Sequence, residues 1–446
     1  MKYRSFLWLL LGLAAGIPAQ AQQAPTKKLT LQEAVRQSLD NSKQLKKNQA
    51  QVDEAVAALQ EAREKKLPGA SVSGSYLRLN SANIDIKSTS SGSSTGTPSS
   101  SASLSPNQVI YGMLNLSVPV YAGGKIRYGI ESAKLLEKAV RLDADNQQEE
   151  VIQTTIEAFA NLFKANSAVR LMKDNLRQSE ERVRELANLE KNGLLARNDL
   201  LKAQLQTSNY ELAVVDAENN RQMAALVLNL LTGFAPETDI DLDTTGIARK
   251  NDERTLEDFL RSANDQRKDL AALEARRKAA ETGVKAVRAD MLPAIQLTGG
   301  YVAADIPHVL SVTNALNLGL GVSYNIGSLW KTKSKIRQAE ARVRQISLSE
   351  SLLDDQVRLQ VSRNYLTWMS TRKKISVNSL AVEQATENYR IVKNKFDNQL
   401  ATLSDLLEAD VAKLQQTLAY TLARADAFVA YHKLLQSAGL LNAEFK

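Results

Sequence analysis

The feature that most constrains this chain is an internal duplication. A first block, residues 31–76, returns 225 positions later without a gap, so that Leu31 matches Leu256. A second block repeats at an offset of 206, and its matches continue as far as Gly233 with Gly439. Constant offsets over such stretches are hard to produce by chance. The sequence therefore predicts two copies of one structural unit.

The second block carries the pattern of long paired helices. Apolar residues recur at alternating steps of four and three, and nine of the eleven such positions from Val151 to Leu186 are apolar. A helix from about Lys125 to Lys191 would be roughly 100 Å long, a length that requires a coiled-coil partner. The sequence predicts one long helical hairpin per copy, at about 125–232 and 329–437. A helix of about 35 residues, ending at Lys66 or Met291, should precede each copy's strands.

Between the helices, apolar residues alternate with small or polar ones, which is typical of strands. Strands are predicted at about 70–83, 108–121, 294–304 and 314–326, and the Ser/Thr/Gly-rich stretch Ser88–Pro106 is expected to be a flexible loop. Strands near ten residues long with one apolar face fit a transmembrane β-barrel. The residues predicted to face lipid are Leu116, Val118, Leu318, Leu320 and Val322. Four strands cannot close around a pore, so the chain must associate, and three copies would give about twelve strands.

The amino terminus has the composition of a secretory signal peptide. Two basic residues precede a mostly apolar run, Phe6–Ile17, which is followed by small residues and predicts cleavage between Ala21 and Gln22. The run is too short to span a membrane. The predicted organisation is a signal peptide at 1–21, a first repeat at 22–234, a connecting segment at 235–254, a second repeat at 255–439 and a tail at 440–446.

Composition argues against chemistry at a cofactor or metal. The chain has no cysteine, which excludes disulfides, thiolate metal sites and a lipid-bearing cysteine, and its only histidines are His308 and His432. The net charge of +8 comes from basic residues interleaved with acidic ones, which suggests solubility more than nucleic-acid binding. Gly123-Gly124 lacks the Lys-Ser/Thr of a phosphate loop. We expect no enzyme activity, no cofactor, no metal and no nucleic acid.

Four groups of residues carry a family resemblance. They are Leu29-Thr30-Leu31-Gln32-Glu33-Ala34, the pair Leu67-Pro68 with Leu292-Pro293, Tyr121-Ala122-Gly123-Gly124, and the repeated tips from Asn192-Gly193 to Gln204 and around Asp405-Leu406-Leu407-Glu408-Ala409. With these residues the sequence resembles the TolC-like outer-membrane efflux proteins. The resemblance implies an α+β membrane protein in which a trimer forms a transmembrane barrel, four strands per chain, continuous with a periplasmic α-helical barrel.

The function implied by the resemblance is a passive channel-tunnel of a tripartite efflux or type I secretion system. Its implied partners are two further copies of the chain, a periplasmic adaptor, an inner-membrane pump reached through the adaptor, and outer-membrane lipid. The alternative is an exported coiled-coil scaffold or adhesin without a pore, which explains the heptads but leaves the alternating strands unexplained.

The resemblance also implies a site at the hairpin tips. Asp405 and Glu408 would narrow the periplasmic entrance as rings of carboxylates; alternatively, Ser404 is an N-cap and both acids complement a helix N-terminus. Ala401 stands where relatives can hold the entrance shut with a basic residue. The expected adaptor contacts are Gly193, Asp199, Leu200, Gln399 and Leu406, although Gly193 would serve equally as a helix C-cap.

Overall fold

The structure, a computed structural model, describes residues 27–80, 107–245, 252–307 and 310–445. The expected signal peptide, the Ser88–Pro106 loop and His308 lie outside these residues. The chain divides into two compact units. We call them unit 1 (Met1–Leu45, Gln147–Gln266 and Val357–Lys446) and unit 2 (Lys46–Asn146 and Arg267–Gln356).

Both halves of the chain contain the same order of elements. The first half contains β1 (Lys27–Leu29), α1 (Leu31–Asn41), α2 (Lys43–Glu64), β2 (Gly69–Arg78), β3 (Gln108–Ala122), α3 (Lys125–Lys191) and α4 (Arg197–Thr232). After β4 (Ile240–Leu242), the second half contains α5 (Leu256–Gln266), α6 (Lys268–Arg288), β5 (Ala294–Ile306), β6 (Leu310–Ser323), α7 (Ser328–Asp397) and α8 (Leu403–Ser437). A short α9 (Leu441–Glu444) follows. Both copies thus contain helices, two strands and a long hairpin.

The single helix of about 35 residues expected before the strands is wrong, because a one-residue break divides it in both copies. At Ser42 the backbone is extended (ψ 114°), and the hydroxyl accepts a hydrogen bond from the Leu45 amide at 3.2 Å, so α1 ends and α2 begins there. Arg267, at the equivalent position, is also extended (ψ 126°) and precedes α6. A break of one residue leaves helical spacing on both sides, which is why periodicity alone missed it.

The helices that open the two copies start with the same cap. Thr30 Oγ1 accepts from the Glu33 amide at 3.2 Å, and the Glu33 carboxylate accepts from the Thr30 amide at 3.1 Å. Thr255 and Asp258 repeat this pair at 3.3 and 2.9 Å. Each pair is a capping box, which satisfies two otherwise unpaired backbone donors. The offset of 225 therefore preserves a helix start in detail.

The four strands of unit 2 form one antiparallel sheet in the order β2-β3-β5-β6. Gly300 lies at a crowded point of it, since a Cβ there would come within 2.5 Å of the Leu114 carbonyl oxygen. Strand β6 begins at Leu310 rather than 314 and ends at Ser323 rather than 326. A bulge opposite β5, with Asn314 at φ 61°, shifts the alternation and hid the start of the strand.

Unit 1 contains a second, smaller sheet that the sequence did not indicate. Strand β1 pairs with β4 in parallel, with Lys27 opposite Ile240 and Leu29 opposite Leu242. Each strand has only three residues, too few for an alternation to be visible. The pairing attaches the beginning of the described chain to the connecting segment. Among the described residues, no helix combines the length and apolarity needed to cross a membrane.

Candidate functional site at the hairpin tips

Both long hairpins of unit 1 reverse direction with the same backbone geometry. At the end of α3, Gly193 has φ 72°, and the amides of Leu194 and Gly193 donate to the carbonyls of Leu189 and Glu190, both at 2.9 Å. This is a Schellman motif, which favours glycine at its left-handed position. Gly193 therefore acts as a helix C-cap, as the sequence allowed.

The tip after α7 has the same motif with a different residue. Gln399 is left-handed at φ 61°, its amide donates to Phe396 at 2.9 Å, and the Leu400 amide donates to Lys395 at 2.7 Å. A residue with a side chain pays roughly 1–2 kcal/mol for this conformation. The second copy has kept the geometry of the turn and lost the residue best suited to it.

The helices that leave the two tips begin differently. Helix α4 has Ala196 at its N-cap, with no side-chain hydrogen bond, whereas α8 has Thr402. Thr402 Oγ1 accepts from the Asp405 amide at 3.2 Å, and Asp405 Oδ2 accepts from the Thr402 amide and hydroxyl at 2.9 and 2.7 Å. The interpretation that Ser404 is the N-cap is wrong: the cap lies two residues earlier, where its hydroxyl reaches the third helical amide.

Asp405 and Glu408 both remain exposed on the first turns of α8. The hydrogen bonds from Thr402, first that of its hydroxyl and then that of its amide, lower the pKa of Asp405 below its ordinary value. Asp405 is thus held as a carboxylate in a defined orientation. Capping the helix and presenting a negative charge to solvent are compatible roles for this residue.

A buried apolar cluster joins the two tips. It consists of Leu186, Leu200, Ala203, Leu403 and Leu406. Leu200 and Leu406, expected to contact an adaptor, have side chains only 2% and 3% exposed and pack the tips against each other. Of the other expected contacts, Gly193 and Gln399 are exposed and Asp199 is half-buried.

Two exposed leucines at the tips were missed by the sequence reasoning. Leu194 and Leu400 follow the left-handed residues of the two turns and are 70% and 77% exposed. They occupy equivalent positions at the offset of 206. The signal for them was the repeated pattern Asn-Gly-Leu and Asn-Gln-Leu, in which the last residue follows the reversal.

A buried polar network links all four long helices of unit 1. Arg182 of α3 donates to Asp410 Oδ2 of α8 at 3.1 Å, and their side chains are 9% and 5% exposed. Arg182 also donates to the Tyr389 hydroxyl of α7 at 3.3 Å, and the Tyr210 hydroxyl of α4 donates to Asp410 at 3.4 Å. No pattern along the chain indicated this group, because its members are far apart in sequence.

The network is electrostatically fixed. Burial and, to a smaller extent, the negative charge of Asp410 together raise the pKa of Tyr210 to about 12. For Arg182, burial alone would lower the pKa, but the charge and hydrogen bond of Asp410 outweigh it and the pKa is raised. The arginine therefore stays charged and the tyrosine stays protonated at physiological pH. Such a group ties helices together and has no acid–base chemistry to offer.

The residues expected to face lipid lie together on the sheet of unit 2. Leu116 and Leu318 are both opposite Gly299, and Leu320 is opposite Leu297, which also pairs with Val118. Residues directly opposite each other share a face, so all five expected residues, Val322 included, lie on one face. Leu318, Leu320 and Val322 are 80%, 72% and 71% exposed, Leu116 is 44% exposed and Val118 is half-buried.

A four-stranded antiparallel sheet combined with two long helical hairpins is the fold of outer-membrane channels. The structure matches the outer membrane protein VceC of Vibrio cholerae with a TM-score of 0.73 and 18% identity over 92% of this chain and 96% of that chain. It matches the CmeC outer membrane channel of Campylobacter jejuni with a TM-score of 0.74 and 18% identity over 92% and 86%.

Sequence comparison gives the family directly. The outer membrane efflux protein family matches residues 34–234 and 259–440. The outer membrane efflux protein BepC of Brucella suis is 22% identical over 340 residues, which cover 74% of this chain and 72% of BepC. The chain therefore belongs to the outer membrane efflux protein family and is an outer-membrane channel-tunnel component. The family suggested by the sequence resemblance and the predicted fold class are both confirmed.

Proposed function

We propose that this protein is the passive conduit of a tripartite efflux or type I secretion system. Three copies form the channel, a periplasmic adaptor docks at the hairpin tips, and an inner-membrane pump supplies the energy. An amino-terminal signal peptide, removed after Ala21, directs export, and no lipid is attached to the mature chain. The single observation that carries the proposal is a four-stranded sheet with two open edges and an exposed apolar face, on a chain whose second hairpin tip presents exposed acidic residues.

The sheet supports association because its edges are open. Strands β2 and β6 lie at the two ends of the strand order and have no further partner within the described residues. In hydrocarbon, each unpaired backbone group costs several kcal/mol, so only closed barrels are stable there. Pairing β2 of one copy with β6 of the next removes both edges, and three copies close a ring of about twelve strands.

The helices of unit 1 support the same ring. Two of them carry rows of exposed apolar side chains: Leu201, Leu205, Leu212, Val215, Val227 and Leu230 on α4, and Leu359, Leu366, Val377, Leu380 and Ile391 on α7. Different surfaces on one chain that meet on neighbouring copies form a heterologous interface, which gives a ring when the rotation between copies closes. Soluble helices rarely leave such long rows uncovered. The scaffold alternative would cover these rows but leave the sheet edges open.

The periplasmic entrance is formed by Asp405 and Glu408. In a threefold ring the two residues give two layers of carboxylates, which attract cations and repel anions. The capping box orients Asp405, and Glu408 lies about one turn farther along the same helix. The equivalent positions of the first tip are Asp199 and Lys202, which pair at 3.1 Å. The negative charge at the entrance thus comes from the second tip alone.

The test is ion selectivity in planar bilayers. The variant Asp405→Asn with Glu408→Gln keeps a cap acceptor and removes both charges; we expect a lower cation-to-anion permeability ratio and weaker block by divalent cations. The matched control is Glu211→Gln with Asp216→Asn, two exposed acids of α4. Unchanged selectivity in the first variant would remove these residues from the entrance. A monomer without conductance would overturn the channel proposal and favour the scaffold.

Adaptor docking is tested at the exposed residues of the tips. A photo-reactive amino acid at position 194 or 400 should cross-link to a periplasmic protein in cells, and one at Lys374 should not. Leu194→Ser with Leu400→Ser should reduce export without changing conductance, because the tips remain folded around their buried cluster. Cross-linking that is equal at all three positions would contradict docking at the tips.

A further inference from the structure

Basic residues concentrate in unit 2 where its helices meet the sheet. The segments 61–66, 123–133, 283–293 and 324–337 border the strand ends, and together they contain eleven basic and four acidic residues. This excess of seven compares with +8 for the entire chain. Basic and acidic residues interleave over the chain as a whole, but in these four segments the basic residues predominate. We call these four segments the basic collar.

The start of α7 is the most basic part of the collar. Lys331, Lys333, Lys335 and Arg337 are all exposed, and none of them makes an ion pair with the described residues. In α3 the equivalent positions are Lys125, Arg127, Gly129 and Glu131. Lys125 pairs with Asp290 at 2.7 Å. The second copy thus has basic residues at two positions where the first copy has none, and all four lack a counter-charge among the described residues.

The collar continues directly from the apolar face of the sheet. Beyond the exposed Leu320 and Val322 of β6 come Tyr324 and Trp330, which are 44% and 61% exposed, and Lys331 follows. Aromatic side chains favour the boundary between hydrocarbon and water, and lysine and arginine favour the headgroup layer outside it. The order apolar, aromatic, basic along the chain is thus the order of depths in one leaflet.

We infer that the basic collar binds the phosphate-bearing headgroups of anionic phospholipids in the leaflet on the helical side of the sheet. The inference rests on the proposed placement of the sheet in the membrane. Attraction to a charged surface depends on the summed charge, so an excess of seven needs no dedicated pocket. It is screened within a Debye length, about 10 Å at 0.1 M salt, and therefore weakens as salt rises.

Trp330 provides a probe within the collar. The full-length protein is reconstituted in vesicles of equal parts phosphatidylglycerol and phosphatidylcholine, with bromine on the chains of one lipid at a time. Bromine quenches a tryptophan that it can approach, so the two quenching levels give the lipid preference at this site. Trp368 is only 2% exposed, and its fluorescence is removed by subtracting the emission spectra of the variant Trp330→Phe. We expect roughly a three- to tenfold preference for phosphatidylglycerol at low salt.

The variant Lys331→Gln, Lys333→Gln, Lys335→Gln and Arg337→Gln should reduce the preference to about one. The matched control, Arg363→Gln, Lys373→Gln, Lys374→Gln and Lys393→Gln, removes four exposed charges later in the same helix and should keep it. Equal quenching by both lipids in the unaltered protein would overturn the inference alone and leave an acidic protein as the partner. Absence of quenching by either lipid would contradict the placement of the sheet in the membrane, and the inference with it.

Discussion

The two hairpin tips of unit 1 form the same turn, but they differ in which position has a residue suited to it, the left-handed position or the N-cap. The first tip has glycine at its left-handed position and an alanine N-cap, whose side chain cannot accept a hydrogen bond. The second has Gln399 in the left-handed conformation and a complete capping box from Thr402. Each tip thus has one well-suited residue and one poor one. Duplication has preserved the backbone path while the side chains that support it have diverged.

The two tips also differ in the charge that their first helical turns present to solvent. At the first tip the acid of the first turn, Asp199, is neutralised by Lys202. At the second tip the equivalent residues are Asp405 and Glu408, and the cap that holds Asp405 also lowers its pKa. At the second tip, the hydrogen bonds that cap the helix therefore also orient a negative charge. A duplicated hairpin can come to present an oriented charge in this way while its partner keeps glycine at the turn.

The largest expected effect on stability comes from the buried ion pair between Arg182 and Asp410, which joins the two hairpins. Asp410→Ala leaves Arg182 buried without its counter-charge, and we expect a loss of about 3–5 kcal/mol in the free energy of unfolding. The measurement is the denaturant midpoint of the helical circular dichroism signal. The control is Arg182→Met with Asp410→Leu, which removes both charges and should lose less than either single change. A double variant as unstable as Asp410→Ala would show that packing, and not the ion pair, joins the hairpins.

The sequence predicted those parts of the molecule whose residues follow a regular spacing. Heptads, the alternation of strands and two constant offsets were enough for the duplicated elements, whereas Asp405 and Glu408 were assigned to the entrance from the family resemblance, and that role stays a prediction. Arg182 and Asp410 were not found, since two residues on different helices meet only after packing. The break at Ser42 and the bulge at Asn314 each affect a single residue, which periodicity cannot detect. Burial of Leu200 likewise depends on the neighbouring hairpin.

Exchanging the left-handed residues tests the comparison of the tips directly. Gln399→Gly should stabilise by about 1 kcal/mol, because glycine adopts this conformation without a Cβ penalty. Gly193→Gln should destabilise by about the same amount, and a Cβ there meets nothing within 4 Å, so strain alone is measured. Both changes in the free energy of unfolding are measured from the denaturant midpoint. Equal and negligible effects would mean that the two turns are not held in the left-handed conformation.

Exchanging the N-caps should give a similar or slightly smaller effect. Thr402→Ala removes the acceptor of the capping box and should cost about 1 kcal/mol. Ala196→Thr places an acceptor three residues before Asp199 and should gain several tenths of a kcal/mol, since Asp199 must leave Lys202 to complete the box. Thr402→Ser is the matched control and should change little. A gain at Ala196 without a loss at Thr402 would reverse the assignment of the better cap.

The smallest expected effect is the pH dependence of the second cap. The pKa of Asp405 is lowered in the folded protein, so its contribution to stability is present above the ordinary pKa of an aspartate and is lost as pH falls through the lowered value. The difference in unfolding free energy between the protein and Thr402→Ala should therefore be larger at pH 7 than at pH 2.5. The corresponding difference for Gln399→Gly should stay constant, because that substitution involves no titrating group. A Thr402→Ala penalty that is the same at both pH values would mean that the hydroxyl caps α8 without Asp405, and the carboxylate would then be free to turn away from the cap.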